Sequence, residues 1–351
     1  MRIKTIETLF QIVCWCATIA MVVYWIYKYT KNEDLCTIKY KKYYETPSDV
    51  PPVLSLCFRN PISTKKLEAF GKGIAVSQYL DFLEGKKFRQ EMVEIDFDRV
   101  SSDIFEFVTN YWISWRNGTN EYYEIKNRIL SNAIENKNIS HVLTKTYSGF
   151  SNIGGYTGLM IDCYGMTVPE NAETIAVEFK NSIFPNGSRP ALHGLEVFLH
   201  YPNQLLRSIE TNLYAWEAKL KDDYYTMRFK LTSMEVIKRR SKSTDQCSQR
   251  WRNYDEQILV DHVKKVGCRA PYQTPSQQFP KCNTQEKMNE SVFRISANGY
   301  DVVQPCKKVG KIFYTYSETQ VTNTSEWFNP GHFWAGLWIQ GSQFKEIENN
   351  R

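Results

Sequence analysis

From Leu9 to Tyr27 the chain runs through nineteen residues, LFQIVCWCATIAMVVYWIY, without a charge, and no comparable run recurs downstream. A helix of that length spans roughly 28 Å, close to the hydrocarbon thickness of a bilayer. Gln11 and Thr18 are its clearly polar members. Tyr24, Trp25, Tyr27 and Tyr29 crowd one end, as an interfacial aromatic belt does. A signal peptide also begins with basic residues, here Arg2 and Lys4, and an apolar run. This run is longer than the usual apolar core of such a peptide, and the exit from Lys28 to Leu35 offers no small-x-small cleavage site. The pattern predicts a membrane helix over 9–27. Its flanking charges do not orient it: Arg2, Lys4 and Glu7 on one side face Lys28, Lys31, Glu33 and Asp34 on the other.

Downstream the apolar positions change period. Ile175, Val177 and Phe179 alternate, as do Leu195, Val197 and Leu199, and Met227, Phe229 and Leu231, which predicts three half-buried strands. Between about Val76 and Val142 the spacing is helical. Tyr79 with Phe82 and Leu83 forms one stripe, Ile104, Phe107, Val108 and Tyr111 a second, and Tyr122, Ile125, Ile129 and Ala133 a third. A further amphipathic helix fits Asn253 to Val266, with Asn253 as N-cap and Ile258, Leu259, His262 and Val263 on one face. A last strand-like segment starts at Ile312. Strands and helices alternate too irregularly for a doubly wound sheet, so the expected class is α+β.

Composition places this material outside the disordered classes: aromatic residues make up 14% and apolar residues 42% of 351. The net charge of +6 is mild. The densest basic run, Lys238-Arg239-Arg240-Ser-Lys242, reads as a solvated turn with no second basic cluster behind it, so no nucleic-acid partner is expected. Five N-x-S/T sequons follow the helix, at Asn117, Asn138, Asn186, Asn289 and Asn323. Seven of the nine cysteines share that region without zinc or redox spacing. Widely spaced cysteines beside sequons read as disulfides in an oxidising compartment, which puts the large domain outside and the N-terminus in the cytosol.

Catalytic signatures do not assemble. The five histidines, His141, His193, His200, His262 and His332, are scattered, with no HExxH, and the chain has no G-x-S-x-G, P-loop or dinucleotide fingerprint. His200 closes a strand before Tyr201-Pro202-Asn203 and reads as a turn-stabilising residue. No enzyme, cofactor or metal is expected.

Several segments nonetheless resemble the epithelial sodium channel/degenerin family, which includes the acid-sensing ion channels. Pro52-Val-Leu-Ser-Leu-Cys57-Phe-Arg-Asn60 is similar to the family's stretch after its first membrane helix, and Leu159-Met-Ile-Asp-Cys163-Tyr-Gly to a second family site. Leu195-Glu-Val-Phe-Leu-His200-Tyr-Pro202 to Ser208 resembles a palm strand and its turn. Val266-Gly-Cys268-Arg-Ala-Pro271, with Pro280-Lys-Cys282, resembles the thumb, and Gln343 to Arg351 the lead-in to the second membrane helix. The matches keep family order along nearly the whole chain.

The resemblance implies a subunit of a voltage-independent, amiloride-sensitive-type channel that passes sodium ions. It also implies a homo- or heterotrimer in the lipid bilayer of the plasma membrane, gated by an extracellular ligand. It divides the chain into a short cytosolic N-terminus (1–8), a transmembrane helix (9–27) and an extracellular domain (28–351). The last comprises a finger-like helical insert at about 65–150, palm-like strands at about 155–235, a thumb-like cysteine module at about 240–310 and a return strand at about 311–351. It implies a Cys57–Cys163 bridge. Four thumb cysteines allow three connectivities; the family's nested arrangement implies Cys268–Cys282 inside Cys247–Cys306, stiffening a lever above the membrane. Two bridges in place of the family's usual five make a softer or smaller thumb. Cys36 is left as a buried unpaired residue, a free thiol or a bridge to another subunit. Cys14 and Cys16 read as lipid- or helix-facing.

Two family features are missing. The His-Gly motif before the first helix has no counterpart, and the second membrane helix with its Gly/Ser-x-Ser filter does not occur in this sequence. The aromatic run from Trp327 to Trp338 is too short and too broken by Pro330, Gly331 and Gly336 to replace it. The expectation is an incomplete chain ending at the threshold of its pore helix. The alternative is a single-pass membrane-anchored binding protein or non-conducting regulatory subunit.

Overall fold

The computed structural model describes residues 2–30, 36–42, 51–59, 61–70, 73–124, 139, 141–151, 159–183, 194–200, 213–217, 224–239, 254–273, 278–292, 306–321 and 331–349. It is a mixed α/β structure behind an N-terminal apolar helix. That helix, α1 (Arg2–Thr30), contains a 23-residue stretch, Ile6–Lys28, long and apolar enough to cross a membrane. From Ile6 to Tyr27 its residues are exposed all round, with no polar stripe. A helix apolar on every side has no aqueous face, which is the property of a membrane anchor or a signal sequence rather than of a surface helix.

The strands form two sheets. The larger follows the path β1 (Cys36–Lys42), β13 (Gln343–Asn349), β10 (Tyr224–Arg239), β12 (His332–Trp338), β7 (Ala172–Lys180), β3 (Val108–Trp115) and β4 (Asn120–Glu124), with β11 (Lys307–Val321) also on β10. β10 pairs antiparallel with β11 along nearly its whole length. Its other edge takes β12 in parallel over Tyr225–Lys230 and then β13 in parallel over Ser233–Arg239. Those two therefore run end to end, joined by a turn in which Gly341 has φ +74° and Ser342 N–H donates to the Ile339 carbonyl at 3.0 Å. The smaller sheet has the order β5 (Leu143–Ser151), β6 (Leu159–Met166), β2 (Val53–Arg59), β8 (Gly194–His200), β9 (Leu213–Glu217).

The alternating triplets sit where their period demands. Ile175, Val177 and Phe179 on β7, Leu195, Val197 and Leu199 on β8, and Met227, Phe229 and Leu231 on β10 all point into one core between the sheets. One of the helical stripes, that of Ile104, Phe107, Val108 and Tyr111, does not form a helix. Ile104–Glu106 is a single 3-10 turn capped by Asp103, whose carboxylate accepts the Phe105 N–H at 3.0 Å. Phe107 ends it, and Val108 and Tyr111 belong to β3. The run Val-Thr-Asn-Tyr-Trp-Ile-Ser-Trp is rich in β-branched and aromatic side chains, and pairing with β7 on one edge and β4 on the other decides its state. Tyr122 lies on β4, opposite Trp112; Ile125, Ile129 and Ala133 lie outside the described residues. The basic run also differs: Lys238 and Arg239 end β10 and pair with Glu348 and Asn349.

The first stripe is a helix, α3 (Val76–Leu83), which follows α2 (Thr64–Glu68) and precedes α4 (Gln90–Val93) and α5 (Phe97–Val100). These bury Leu67, Tyr79, Leu80, Phe82, Leu83, Met92, Phe97 and Val100 in a second core. The same core holds Val266, Cys268, Ala270, Tyr272, Cys282 and Met288 from the cysteine module, which carries α6 (Tyr254–Val266) and α7 (Gln285–Ser291). The helices between Thr64 and Val100 and the described part of the cysteine module thus share one interior. The Gln285 side chain sutures them, accepting the Phe88 N–H at 2.6 Å and donating to the Gly85 carbonyl. Lys281 Nζ donates to the Val93 carbonyl at 3.0 Å. Gly85, at φ +70°, lies so close to α7 that a Cβ there would fall 2.9 Å from the Asn289 Cα.

Burial raises the phenols of Tyr79, Tyr164 and Tyr224 above the ordinary tyrosine value, helped by Asp96 at Tyr79, Asp162 at Tyr164 and Glu178 at Tyr224. The folded state therefore keeps these protons while the unfolded chain releases them near pH 10.0. Stability is present below that pH and declines as pH rises above it. In an alkaline titration followed by tyrosinate absorbance, these three should ionise only with unfolding, as a late cooperative step behind the exposed tyrosines.

Candidate functional site

Two regions gather the residues singled out by sequence. The first is the end of the large sheet next to α1. Residues 31–35 separate the helix from β1. β1 then pairs antiparallel with β13, Cys36 opposite Asn349 and Lys42 opposite Gln343, so the last described strand returns to the point where the chain leaves the helix. The register sets Lys39 opposite Glu346, an opposite-charge position that favours this alignment. On its other edge β13 is clamped to β10, where Lys345 Nζ meets Glu235 Oε1 at 2.8 Å between directly opposed, mostly buried residues. β10 runs from this clamp into the middle of the main core, so the strand pair beside α1 is a continuation of the core rather than an appendage.

The second region is the centre of the small sheet. The segments around Cys57, Cys163 and His200 become three neighbouring strands, β6, β2 and β8 in that order. Cys57 lies directly opposite Cys163, and the two are disulfide-bonded. One face of β2 and β8, with Leu54, Leu56, Phe58, Leu195, Val197 and Leu199, belongs to the main core. The opposite face is buried too, but polar: Ser55, Arg59, Glu196 and His200 are all under a tenth exposed. Arg59 Nε and Glu196 Oε1 form an ion pair at 3.1 Å, and Ser55 Oγ and His200 Nε2 a hydrogen bond at 2.7 Å. Thr146 Oγ1, 3.4 Å from Ser55 Oγ, donates to the Cys163 carbonyl at 3.2 Å and links this row to the disulfide strand. Burying these groups in mutual contact offsets part of the desolvation cost that each would incur alone.

His200 is thus bonded across the sheet to β2; the turn at 201–203 that the sequence assigns it to stabilise lies outside the described residues. Sequence reading missed both cross-strand pairs. Their one signal is that Glu196 and His200 interrupt an apolar segment at alternate positions, which marks a face without saying what it meets. Among the described residues no three His, Cys, Asp or Glu side chains converge as metal ligands.

In the cysteine module Cys268 and Cys282 are bonded across 5.0 Å between Cα atoms. Cys306 is also disulfide-bonded, while Cys247 and the Cys36 side chain lie outside the described residues. Cys14 and Cys16 are free thiols on the exposed surface of α1. Of the sequons, Asn117 is exposed at the β3–β4 turn and Asn289 is exposed on α7; Asn138, Asn186 and Asn323 lie outside the described residues. Neither the protein-family models nor the curated proteins match this chain.

Two outcomes follow from this geometry. Glu196→Gln removes the negative charge held against buried Arg59 and should lower stability by about 3–5 kcal/mol, read as a shift in the denaturant midpoint of the solubilised protein. Peptide mapping without reduction should recover Cys57 with Cys163, Cys268 with Cys282 and Cys247 with Cys306. A peptide joining Cys306 to Cys36 instead would remove the nested arrangement.

Proposed function

We propose that this chain is a subunit of a voltage-independent, amiloride-sensitive-type sodium channel of the epithelial sodium channel/degenerin kind. In this reading α1 anchors it in the plasma membrane with the N-terminus in the cytosol and both sheets outside. The observation that carries the reading is the antiparallel pairing of β1 with β13, which brings the strand leaving α1 and the last described strand side by side. A chain running on past Arg351 would meet the membrane next to α1, which is the arrangement a two-helix subunit needs. The adjacency of β6, β2 and β8, the strands around Cys57, Cys163 and His200, adds to it.

The mechanism follows from stiffness. β10 is hydrogen-bonded along both edges, and its last third holds β13, which in turn holds β1. A displacement of the main core reaches both membrane-proximal strands together, since paired strands slide only by breaking their ladder. The unit built on the second core, outside this sheet, is the place where an extracellular ligand would exert that displacement. Three such subunits around an axis would open a sodium path between their second helices.

The test is expression of the full open reading frame in oocytes, with delivery to the surface verified by biotinylation. An inward sodium current blocked by amiloride is expected. Surface protein that stays silent to protons, peptides and mechanical load would overturn the conducting role and favour a membrane-anchored binding protein.

A further inference from the structure

The β3–β4 hairpin turns through Trp115-Arg116-Asn117-Gly118-Thr119. Trp115 N–H donates to the Thr119 carbonyl at 2.9 Å, and Gly118 N–H donates to the Trp115 carbonyl at 3.0 Å. Gly118 takes φ +83°, the left-handed position that closes a type I turn followed by a one-residue bulge. Within this turn Asn117 Oδ1 accepts two bonds, from the Thr119 N–H at 2.9 Å and the Thr119 hydroxyl at 2.6 Å. Arg116 to Thr119 are exposed.

Asn117-Gly-Thr119 is an N-glycosylation acceptor. In that modification Asn117 Nδ2 bonds to C1 of the first sugar of a polyprenyl-diphosphate-linked oligosaccharide. The bond from C1 to the diphosphate oxygen breaks, and the amide proton leaves with the released diphosphate. Oδ1, the atom that makes the turn, is untouched, so both bonds to Thr119 survive the attachment. Residues facing each other across an antiparallel pair present their side chains on one side. Trp115 and Thr119 face each other, and the Thr119 hydroxyl holds Asn117 on the same side. The Trp115 indole packs partly against the main core and remains partly exposed at the hairpin end. Asn289 has no such setting: its sequon serine, Ser291, is buried in α7 and donates to the Met288 carbonyl at 2.8 Å, and Lys287 stands where Trp115 stands here.

We propose that the Asn117-linked glycan lays its first N-acetylglucosamine across the exposed part of the Trp115 indole and the Thr119 methyl group. The sugar's axial C–H groups meet the electron-rich ring face and cover apolar surface that the polypeptide leaves in water. The sugar becomes the outermost layer of this corner of the main core and fixes the hairpin that edges the large sheet. This inference rests on the extracellular placement in the proposed function, and on nothing else in it.

The test uses the full chain from cells that make only high-mannose glycans, with occupancy read at each sequon by mass spectrometry. All five sequons empty would overturn the placement; Asn117 empty with any other sequon occupied would overturn this proposal alone. After trimming every glycan to one sugar, unfolding rates are compared by limited proteolysis. Asn117→Asp keeps an acceptor oxygen for the turn and lacks the sugar; it should unfold about fivefold faster than wild type. In a Trp115→Val background the same substitution should make no further difference, whereas Trp115→Phe should preserve it. Equal rates for trimmed wild type and N117D, or an undiminished N117D effect beside W115V, would overturn the proposal. If W115V does not fold, the wild type and W115F arms decide it.

Discussion

The large sheet depends on how one strand, β10, is shared. Its sixteen residues carry β11 on one edge and, on the other, β12 and β13 laid end to end. Because the second edge is divided, the half holding β12 reaches β7 and β3 in the interior, and the half holding β13 reaches β1 beside the apolar helix. A strand buried along both edges cannot shift by one residue without turning Met227, Phe229, Leu231, Met234 and Val236 out of the core. That penalty fixes the alignment of the helix-proximal strands from a distance.

The rest of the structure is arranged around two cores, and each of the two described disulfides closes a loop within one part of it. Cys57–Cys163, 106 residues apart in sequence, ties strands that already pair; closing a loop of about 100 residues is worth about 4.7 kcal/mol in the chain-entropy model. Cys268–Cys282, separated by 14, closes a short loop inside the second core, worth about 3 kcal/mol. The long closure constrains the unfolded chain as a whole; the short one stiffens a module too small to pack alone. That module is completed by Tyr79, Phe82 and Leu83 from far upstream. The described helices between Thr64 and Val100 and the described part of the cysteine module therefore share one buried core.

The polar row on β2 and β8 shows what a buried ion pair does in this setting. Arg59 and Glu196 gain little over a pair of apolar residues of the same size, since both are taken out of water. They do favour one register, because Arg59 reaches Glu196 diagonally past Cys57, and a shift of one residue would turn one partner to the other face. Ser55 with His200 repeats the device at the other end of the same strands. The small sheet thus carries three register markers, the disulfide and two polar pairs, on the face away from the main core.

Much of this was legible in the sequence, and the boundary is physical. The uncharged run of α1 needs no partner to be read, because its length and composition answer to a solvent rather than to a contact. The alternating triplets of β7, β8 and β10 were equally plain, since a period of two has meaning only against a buried face. Cys57 with Cys163 and Cys268 with Cys282 followed from resemblance to a family, not from spacing. The stripe at Ile104, Val108 and Tyr111 misled because a few apolar residues satisfy either period, and the pairing of β3 with β4 and β7 overrides local preference. The return of β13 to β1, the merging of two segments in the second core and the meeting of Arg59 with Glu196 leave no local trace. Each is a contact between residues more than a hundred positions apart. Sequence alone determined which segments must be buried and which helix must leave water; only the tertiary structure decided which buried segments meet, because partner choice is settled by the packing of the whole chain.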